Sequence, residues 1–283
     1  MSTYTHYGKQ ADMLKHSALC EVLSNERPQV YVETNSACTR YSMQHTPEQE
    51  YGIYHFLKEA PQYEYLTQSL YFQIESQSMK DEQYIGSPGL AMNVLKNISD
   101  RYIFFDLEQS SLDTILEYAE LLELSVPILT YNKDSISGTL ELLPLLPKDS
   151  FLHIDPYEIN RPNDKGYTYL NVFAEAANRG MKCLLWYGYI NLEMKEQLNK
   201  EIRNTVNQLQ LKNSVCVELI IDFIHQTPIP CNPGVLGSGI LTANLSKDSN
   251  QSILEYAELL TECYKKSTFK GVSGKIYKDI ISL

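Results

Sequence analysis

Runs of apolar, β-branched and aromatic residues alternate with helical patterns along most of this chain. Short apolar runs bounded by polar or turn residues predict strands, and apolar positions three or four apart predict helices. The predicted strands lie at residues 29–33, 102–107, 126–131, 150–155, 182–187, 214–223 and 238–243. Such alternation favours a largely parallel sheet covered by helices. We therefore predict one α/β domain with seven strands, the last two forming a late return pair.

The helical patterns fall between these strands, with one exception. The predicted helices lie at 11–25, 88–98, 110–123, 138–146, 168–179 and 191–210. Residues 46–77 hold two further helical stretches rich in Tyr, Glu and Gln, and these interrupt the alternation after the first strand. We predict a main domain of residues 1–45 and 83–283, with residues 46–82 as an inserted helical subdomain.

Composition narrows the class of protein. The chain has 283 residues, 43% of them hydrophobic and 21% charged, which is typical of a globular protein with ample core. No stretch approaches the roughly 18 apolar residues that span a bilayer. The first residues lack the basic and apolar regions of a signal peptide. We expect a cytoplasmic protein without a membrane partner.

Charge and cysteine content exclude some kinds of site. The six cysteines are scattered without a Cys-x-x-Cys pair, so neither structural zinc nor a disulfide framework is expected, and we predict no metal site. The net charge is −11, whereas nucleic-acid binders usually carry a basic surface. Any RNA or DNA site must therefore be a local patch.

Two short segments carry candidate chemistry. The run 151–157 (FLHIDPY) places Asp155, Pro156 and Tyr157 directly after a predicted strand. Ligands of open α/β sheets bind beyond the carboxyl ends of strands, although Asp-Pro also simply ends a strand in a turn. On the first helix Asp12, Lys15 and His16 share one face, which by default would be a solvated face.

Six segments together resemble one family, the bacterial large-subunit ribosomal RNA adenine-N6 methyltransferases of the J type. That family was earlier labelled "involved in catabolism of external DNA". The matching segments occur in the family's order and span nearly the whole chain: 10–16 (QADMLKH), 31–41 (YVETNSACTRY), 84–88 (YIGSP), 155–158 (DPYE), 185–187 (LWY) and 237–239 (GSG).

The resemblance implies a fold, a reaction and a partner. The fold would be the Rossmann-like class I S-adenosylmethionine-dependent methyltransferase fold, with the helical insertion after the first strand. The reaction would be N6-methylation of an adenine in large-subunit ribosomal RNA, protein-free or partly assembled, with S-adenosylmethionine as methyl donor. Asp155, Pro156 and Tyr157 would form the catalytic motif, in which the carboxylate and a backbone carbonyl accept the amine protons and the ring stacks on the base.

The resemblance also implies residues that bind the donor and the substrate. Lys15 and a neutral His16 would lie by the donor and the target base. Tyr4, or a neighbour near Tyr7–Gly8, would contact the substrate. Four more residues would contact the donor: Asn35, Ser87, Asp106 and Asp134. Ser87 is alternatively, or additionally, a helix N-cap, and Asp134 is either the acid that holds the donor's adenine or an N-cap.

This chain departs from the family pattern at two motifs. The family's first strand is followed by Asp-Thr-His-Ala-Gly-Ala-Gly-Arg-Tyr, whereas residues 33–41 read ETNSACTRY, so both glycines are absent. A non-glycine residue held at positive φ costs about 1–2 kcal/mol, which corresponds to roughly tenfold in donor affinity. The side chains of Ala37 and Thr39 would also occupy space near the donor. The catalytic motif lacks one of the family's two prolines.

These departures predict impaired activity and leave an alternative open. The alternative is a catalytically degenerate protein of the same fold that binds a nucleotide, a nucleic acid or a protein partner. A link to the use of external DNA is a third interpretation, to which the sequence lends little weight because it shows no nuclease metal cluster.

Overall fold

The computed structural model describes residues 6–211, 213–226 and 235–283. Its strands are β1 Val30–Thr34, β2 Arg40–Ser42, β3 Gln83–Ile85, β4 Arg101–Asp106, β5 Ile128–Asn132, β6 Phe151–Ile154, β7 Lys182–Tyr189, β8 Cys216–Ile221, β9 Gly237–Ala243, β10 Thr268–Phe269, β11 Val272–Ser273 and β12 Ile276–Ile280. Its α-helices are α1 Gln10–Glu26, α2 Pro47–Gln49, α3 His55–Glu59, α4 Glu64–Gln68, α5 Leu70–Ser78, α6 Ser87–Val94, α7 Gln109–Leu121, α8 Ser135–Leu142, α9 Tyr169–Asn178, α10 Leu192–Leu209 and α11 Lys247–Cys263.

One large sheet organises the chain, with the strand order β12-β8-β9-β7-β6-β1-β4-β5. Pairing is parallel from β5 through β7, and antiparallel where β9 inserts between β7 and β8. All seven predicted strands are present. The predicted count is wrong by one, because β12 adds an eighth strand antiparallel to β8. Tyr277, Lys278 and Asp279 interrupt the apolar character of β12, which hides it from a search for apolar runs.

Other elements of the fold cover both faces of the sheet, and its strands accordingly consist mostly of apolar residues. Every residue of β1, β6, β8 and β9 is buried, as expected for strands with helices on each side. Val32 pairs with Ile103 on one side and Leu152 on the other, which places β1 in the middle of the core. No helix among the described residues is long and apolar enough to span a membrane.

Residues 47–81 are helical, as the sequence predicts, and β2 and β3 on either side of them pair as a separate two-stranded sheet. These helices do not have a separate core. The side chains of Phe56, Leu66 and Tyr71 are fully buried and belong to the same hydrophobic cluster as α1 and the sheet. The insertion therefore packs as an extension of the main domain, over the helix that carries Lys15 and His16.

The topology creates one crevice at the carboxyl edge of the sheet. The chain passes from β1 to β4 and β5 on one side, and then returns to β6 on the other side of β1. Strand order thus reverses between β1 and β6, and ligands of doubly wound sheets bind at such a switch point. The loop after β1 and the Asp155-Pro156-Tyr157 segment after β6 both start there.

Candidate functional site

A cavity of about 520 Å³ opens at this switch point. Three parts of the chain form most of its wall: the start of α1, the loop after β1 and the turn after β6. Seven of the predicted site residues line it, namely Lys15, His16, Asn35, Ser87, Asp155, Pro156 and Tyr157. Its size lies within the range of small-molecule sites, roughly 300–1,000 Å³.

Lys15 and Asp155 form the central ion pair of the cavity. Lys15 Nζ lies 2.9 Å from Asp155 Oδ2 and 3.1 Å from Asp12 Oδ1. It also lies 4.9 Å from the centre of the Trp186 ring, at cation–π distance. Burial alone would lower the pKa of Lys15, but the carboxylates of Asp155 and Asp12 raise it above its usual value. The lysine therefore stays charged and holds the Asp155 carboxylate at the end of β6.

The polar face of α1 is buried, not solvated. Asp12, Lys15 and His16 are only 7%, 8% and 3% exposed. The default expectation for this trio is wrong, because the β6 turn and the helical insertion cover the face that the helix alone would present to water. Asp12 also accepts a hydrogen bond from the Lys9 backbone N–H at 3.1 Å, which fixes the first turn of α1.

His16 is held as a neutral imidazole. Its Nδ1 lies 2.7 Å from the Tyr84 hydroxyl. Burial, followed by the positive charge of Lys15, lowers the pKa of His16 well below its usual value. Its Nε2 is buried and has no hydrogen-bond partner among the described residues. This residue lines the cavity, so a ligand polar atom could complete its hydrogen bonding.

The loop after β1 has the strain that the missing glycines predict. Asn35 and Ala37 adopt φ values of 55° and 54°. Asparagine tolerates this region, whereas alanine rarely occupies it. Ala37 also lines the cavity as predicted, but Thr39 does not. The Thr39 side chain instead donates to the Thr114 backbone oxygen of α7 at 3.0 Å, so the prediction that it crowds the donor is wrong.

Ser87 is the first residue of α6, and its predicted N-cap role is wrong. The N-cap is Gly86, which makes no side-chain capping bond. A Cβ at Gly86 would collide with the Cys38 carbonyl oxygen, so this position requires glycine for close packing. The Ser87 hydroxyl donates instead to Glu33 Oε1 in a short hydrogen bond. The serine thereby ties the start of α6 to the end of β1.

Glu33 anchors a buried network beneath the cavity. Its side chain is fully buried, accepts a hydrogen bond from the Tyr31 hydroxyl at 2.8 Å, and lies 3.3 Å from His153 Nδ1. These contacts join β1 to β6 just before the two segments that form the cavity. The sequence does not predict the roles of Tyr31 and His153. The pattern of a buried strand does not show which polar side chains meet inside the core.

Asp106 and Asp134 lie outside the cavity wall. Asp106 Oδ2 accepts from the Ala37 backbone N–H and Oδ1 from the Glu108 backbone N–H, both at 2.8 Å. Its carboxylate therefore fastens the strained loop after β1 to the end of β4. Asp134 caps α8 by accepting from the Ser137 backbone N–H at 2.9 Å, which confirms the N-cap interpretation.

Aromatic rings form a further part of the cavity wall. Tyr7 stacks on Tyr41 with ring centres 4.3 Å apart, and both rings line the cavity together with Tyr84. Tyr4 lies outside the described residues. Tyr157 is 67% exposed at the cavity wall, which leaves its ring free to contact a ligand. Tyr7 is the predicted alternative to Tyr4, whereas Tyr41 and Tyr84 lie inside the resembling segments 31–41 and 84–88 without having been predicted as site residues.

No protein-family model matches the chain, and no curated protein matches it. A solved structure does: protein LPL1258 from Legionella pneumophila str. Philadelphia 1, described by the family name DUF519. The two have a TM-score of 0.70 and 22% sequence identity over 98% of this chain and 99% of that one. This similarity concerns the fold alone.

More distant solved structures include an rRNA methylase from Streptococcus thermophilus, with a TM-score of 0.41 and 11% identity over 84% of this chain and 98% of that one. A dimethyladenosine transferase from Plasmodium falciparum has a TM-score of 0.41 and 12% identity over 88% and 70%. Such scores carry no argument about activity. The predicted α/β fold with a mostly parallel, Rossmann-like sheet is confirmed, with the reversed strands β9 and β12 on one side of the sheet.

Proposed function

We propose that the protein catalyses S-adenosylmethionine-dependent N6-methylation of an adenine in large-subunit ribosomal RNA. One observation carries the proposal: the Asp155 carboxylate and the exposed Tyr157 ring share a cavity with Lys15 and His16 at the switch point of the sheet. A carboxylate acceptor beside an aromatic ring suits an aromatic amine, since the carboxylate binds the N–H and the ring stacks on the base.

The cavity has features that suit the donor. His16 Nε2 is a buried polar atom without a protein partner, and Asn35 and Ala37 bring the loop after β1 to the cavity wall. When bound, S-adenosylmethionine supplies an electrophilic methyl group. Lys15, His16, Asn35 and Ser87 are the residues that we assign to its binding.

The protein's contribution to the reaction is positioning. Methyl transfer requires the amine nitrogen to lie in line with the methyl group, and such alignment accounts for a large part of an enzyme's rate enhancement. Lys15 keeps Asp155 oriented through the 2.9 Å ion pair. Oδ1 of Asp155 accepts no hydrogen bond from the described residues and would accept one from the amine. Tyr157, on the next turn, would hold the base by stacking.

A second candidate is a non-catalytic protein that binds a nucleotide, a nucleic acid or a protein partner with the same fold. The geometry of Asp106 favours it. Both carboxylate oxygens of Asp106 already accept backbone N–H groups at 2.8 Å, so an acid that the resemblance assigns to donor binding is engaged by the protein itself. Ala37, at a φ of 54°, adds strain to the same loop.

Calorimetry with S-adenosylmethionine and S-adenosylhomocysteine separates the two candidates. The enzyme proposal predicts that both bind, and that His16→Ala weakens both because the cavity loses a polar contact. His225→Ala, at an exposed histidine outside the cavity, is the matched control and should bind both as the wild type does. Failure of both ligands to bind at millimolar concentration would remove the enzyme proposal.

A further inference from the structure

The C-terminal part of this acidic chain contains a concentrated basic segment. Residues 263–278 include five of the chain's 24 basic residues and no acidic residue, whereas the whole chain has 35 acidic residues. We call residues 265–278 the lysine hairpin, since β10 and β11 pair within it. Its lysines are Lys265, Lys266, Lys270, Lys275 and Lys278.

Three of these lysines are available to a partner. Lys265 pairs with Glu262 at 3.1 Å, and Lys278 pairs with Glu258, both acids lying on α11. Lys266, Lys270 and Lys275 are exposed and form no ion pair with the described residues. An exposed lysine without a carboxylate partner can neutralise a phosphate and release its counterions.

Aromatic contacts fix the hairpin to the body of the protein. Phe269 is buried, and its ring centre lies 5.1 Å from that of Tyr51 and 6.1 Å from that of Phe223. The Tyr51 hydroxyl also donates to the Gly274 backbone oxygen. The lysines therefore project from a packed support and not from a free chain end.

The same support reaches the cavity. The Tyr264 hydroxyl donates to the Gly52 backbone oxygen at 3.2 Å. A Cβ at Gly52 would collide with the Gly8 carbonyl oxygen and lie 2.8 Å from Lys9 Cα, so the two backbones touch. The Ile53 N–H donates to that same Gly8 oxygen at 3.0 Å, and Lys9 lines the cavity. The residues that support the hairpin therefore contact the chain segment that forms part of the cavity wall.

We propose that the lysine hairpin binds the sugar–phosphate backbone of the RNA whose target adenine enters the cavity. The inference rests on the proposed function and names the surface that holds the substrate outside the active site. Phosphate contacts position a nucleic acid without reading its sequence, so Lys266, Lys270 and Lys275 would set where the RNA lies, and the cavity would select the base.

The test compares two triple variants of the full-length protein. The first is Lys266→Glu/Lys270→Glu/Lys275→Glu. The matched control reverses three other exposed lysines that form no ion pair with the described residues, all near the opposite end of the sheet: Lys96→Glu/Lys148→Glu/Lys247→Glu. Both change the net charge equally. Binding of a protein-free large-subunit ribosomal RNA fragment is measured by fluorescence anisotropy between about 50 and 200 mM salt.

The hairpin variant should bind the RNA at least tenfold more weakly than the control. Its plot of log affinity against log salt should be shallower by roughly 2, because each lost phosphate contact removes about 0.7–0.9 from the slope. A milder variant, Lys266→Gln/Lys270→Gln/Lys275→Gln, should show the same change in slope with a smaller loss of affinity. It is the control for misfolding of the charge-reversed variant.

Three outcomes would overturn the inference. They are an equal loss of RNA affinity in both triple variants, no loss of RNA affinity in either, or tighter binding of DNA than of RNA of the same sequence. Donor binding by calorimetry tests the proposed function separately, since the hairpin lysines do not line the cavity. Unchanged donor binding in the hairpin variant together with lost RNA binding supports the inference. A wild type that binds RNA through the hairpin without binding donor would refute the proposed function and keep the hairpin as an RNA-binding surface.

Discussion

Lys15 Nζ and Asp155 Oδ2 lie 2.9 Å apart, although their residues are separated by 139 others in the chain. The pair joins the first helix to the end of β6, and its side chains are only 10% and 11% exposed. Taking charges out of water is unfavourable unless each finds a partner. The stability of the contact between α1 and the end of β6 therefore depends on both residues being present.

Lys15→Met should destabilise the fold by roughly 3 kcal/mol, because it leaves the carboxylates of Asp12 and Asp155 close together without their cation. Urea unfolding at pH 7 measures the change. Lys133→Met breaks the exposed pair with Glu141 and should lower the free energy of unfolding far less. Adding Asp155→Asn to Lys15→Met should recover part of the loss, and a simple sum of the two losses would contradict the coupling.

Buried His16 should make the fold sensitive to acid. Because burial lowers the pKa of His16 well below its usual value, the unfolded chain protonates this imidazole first as the pH falls. The free energy of unfolding should decrease below about pH 6.5, by up to about 1.4 kcal/mol per pH unit for this one group. His16→Gln should reduce that decrease, measured by urea unfolding at pH 5.5 and 7.5, with His225→Gln as control. Identical pH dependence in the wild type and His16→Gln would contradict the assignment.

Glu75 should have the opposite effect at higher pH. Burial raises the pKa of this carboxyl well above its usual value, although the Ile85 backbone N–H donates to it at 3.2 Å. The folded state keeps the proton that the unfolded chain releases, so the free energy of unfolding should decrease as the pH rises above about 4.5. Glu75→Gln should lose less stability between pH 5 and 8 than the wild type does. An equal loss in the variant and the wild type would show that the carboxyl is ionised when folded.

The sequence predicts the fold well because the strands are nearly all apolar. Runs such as Phe151–Ile154 remain recognisable wherever they pair, since both faces are buried. β12 is not predicted, because three of its five residues are polar or aromatic and its partner, β8, lies more than 50 residues earlier in the chain. Its pairing is long-range, and local pattern does not encode it.

The site is only partly predictable. Seven of the residues assigned from the resemblance line one cavity. The sequence cannot show, however, in which direction a carboxylate at the end of a strand points. Asp155 faces the cavity, whereas Asp106, at an equivalent place on β4, faces the backbone of its neighbouring loop. Asp106 Oδ2 accepts the Ala37 N–H; the absent glycines predict strain in this loop, but they do not predict that contact.

Ala37→Gly should relieve strain in this loop. Ala37 holds a φ of 54°, which glycine adopts without a Cβ penalty, so the variant should be more stable by up to about 1 kcal/mol. Under the proposed function it should also bind the donor more tightly, by as much as about tenfold. Ala174→Gly, inside helix α9, is the control and should lose about 1 kcal/mol. Destabilisation by Ala37→Gly equal to that of the control would show that the loop is not strained.

The central claim is that Asp155 holds the target amine, and methylation of protein-free large-subunit ribosomal RNA with labelled S-adenosylmethionine tests it most directly. Asp155→Asn is compared with Asp149→Asn, an exposed acid near the other end of the same strand. We predict that the wild type and Asp149→Asn incorporate label at adenine N6, whereas Asp155→Asn retains donor binding and loses at least 100-fold in rate. Wild-type rates in Asp155→Asn, or no incorporation by the wild type, would contradict the account.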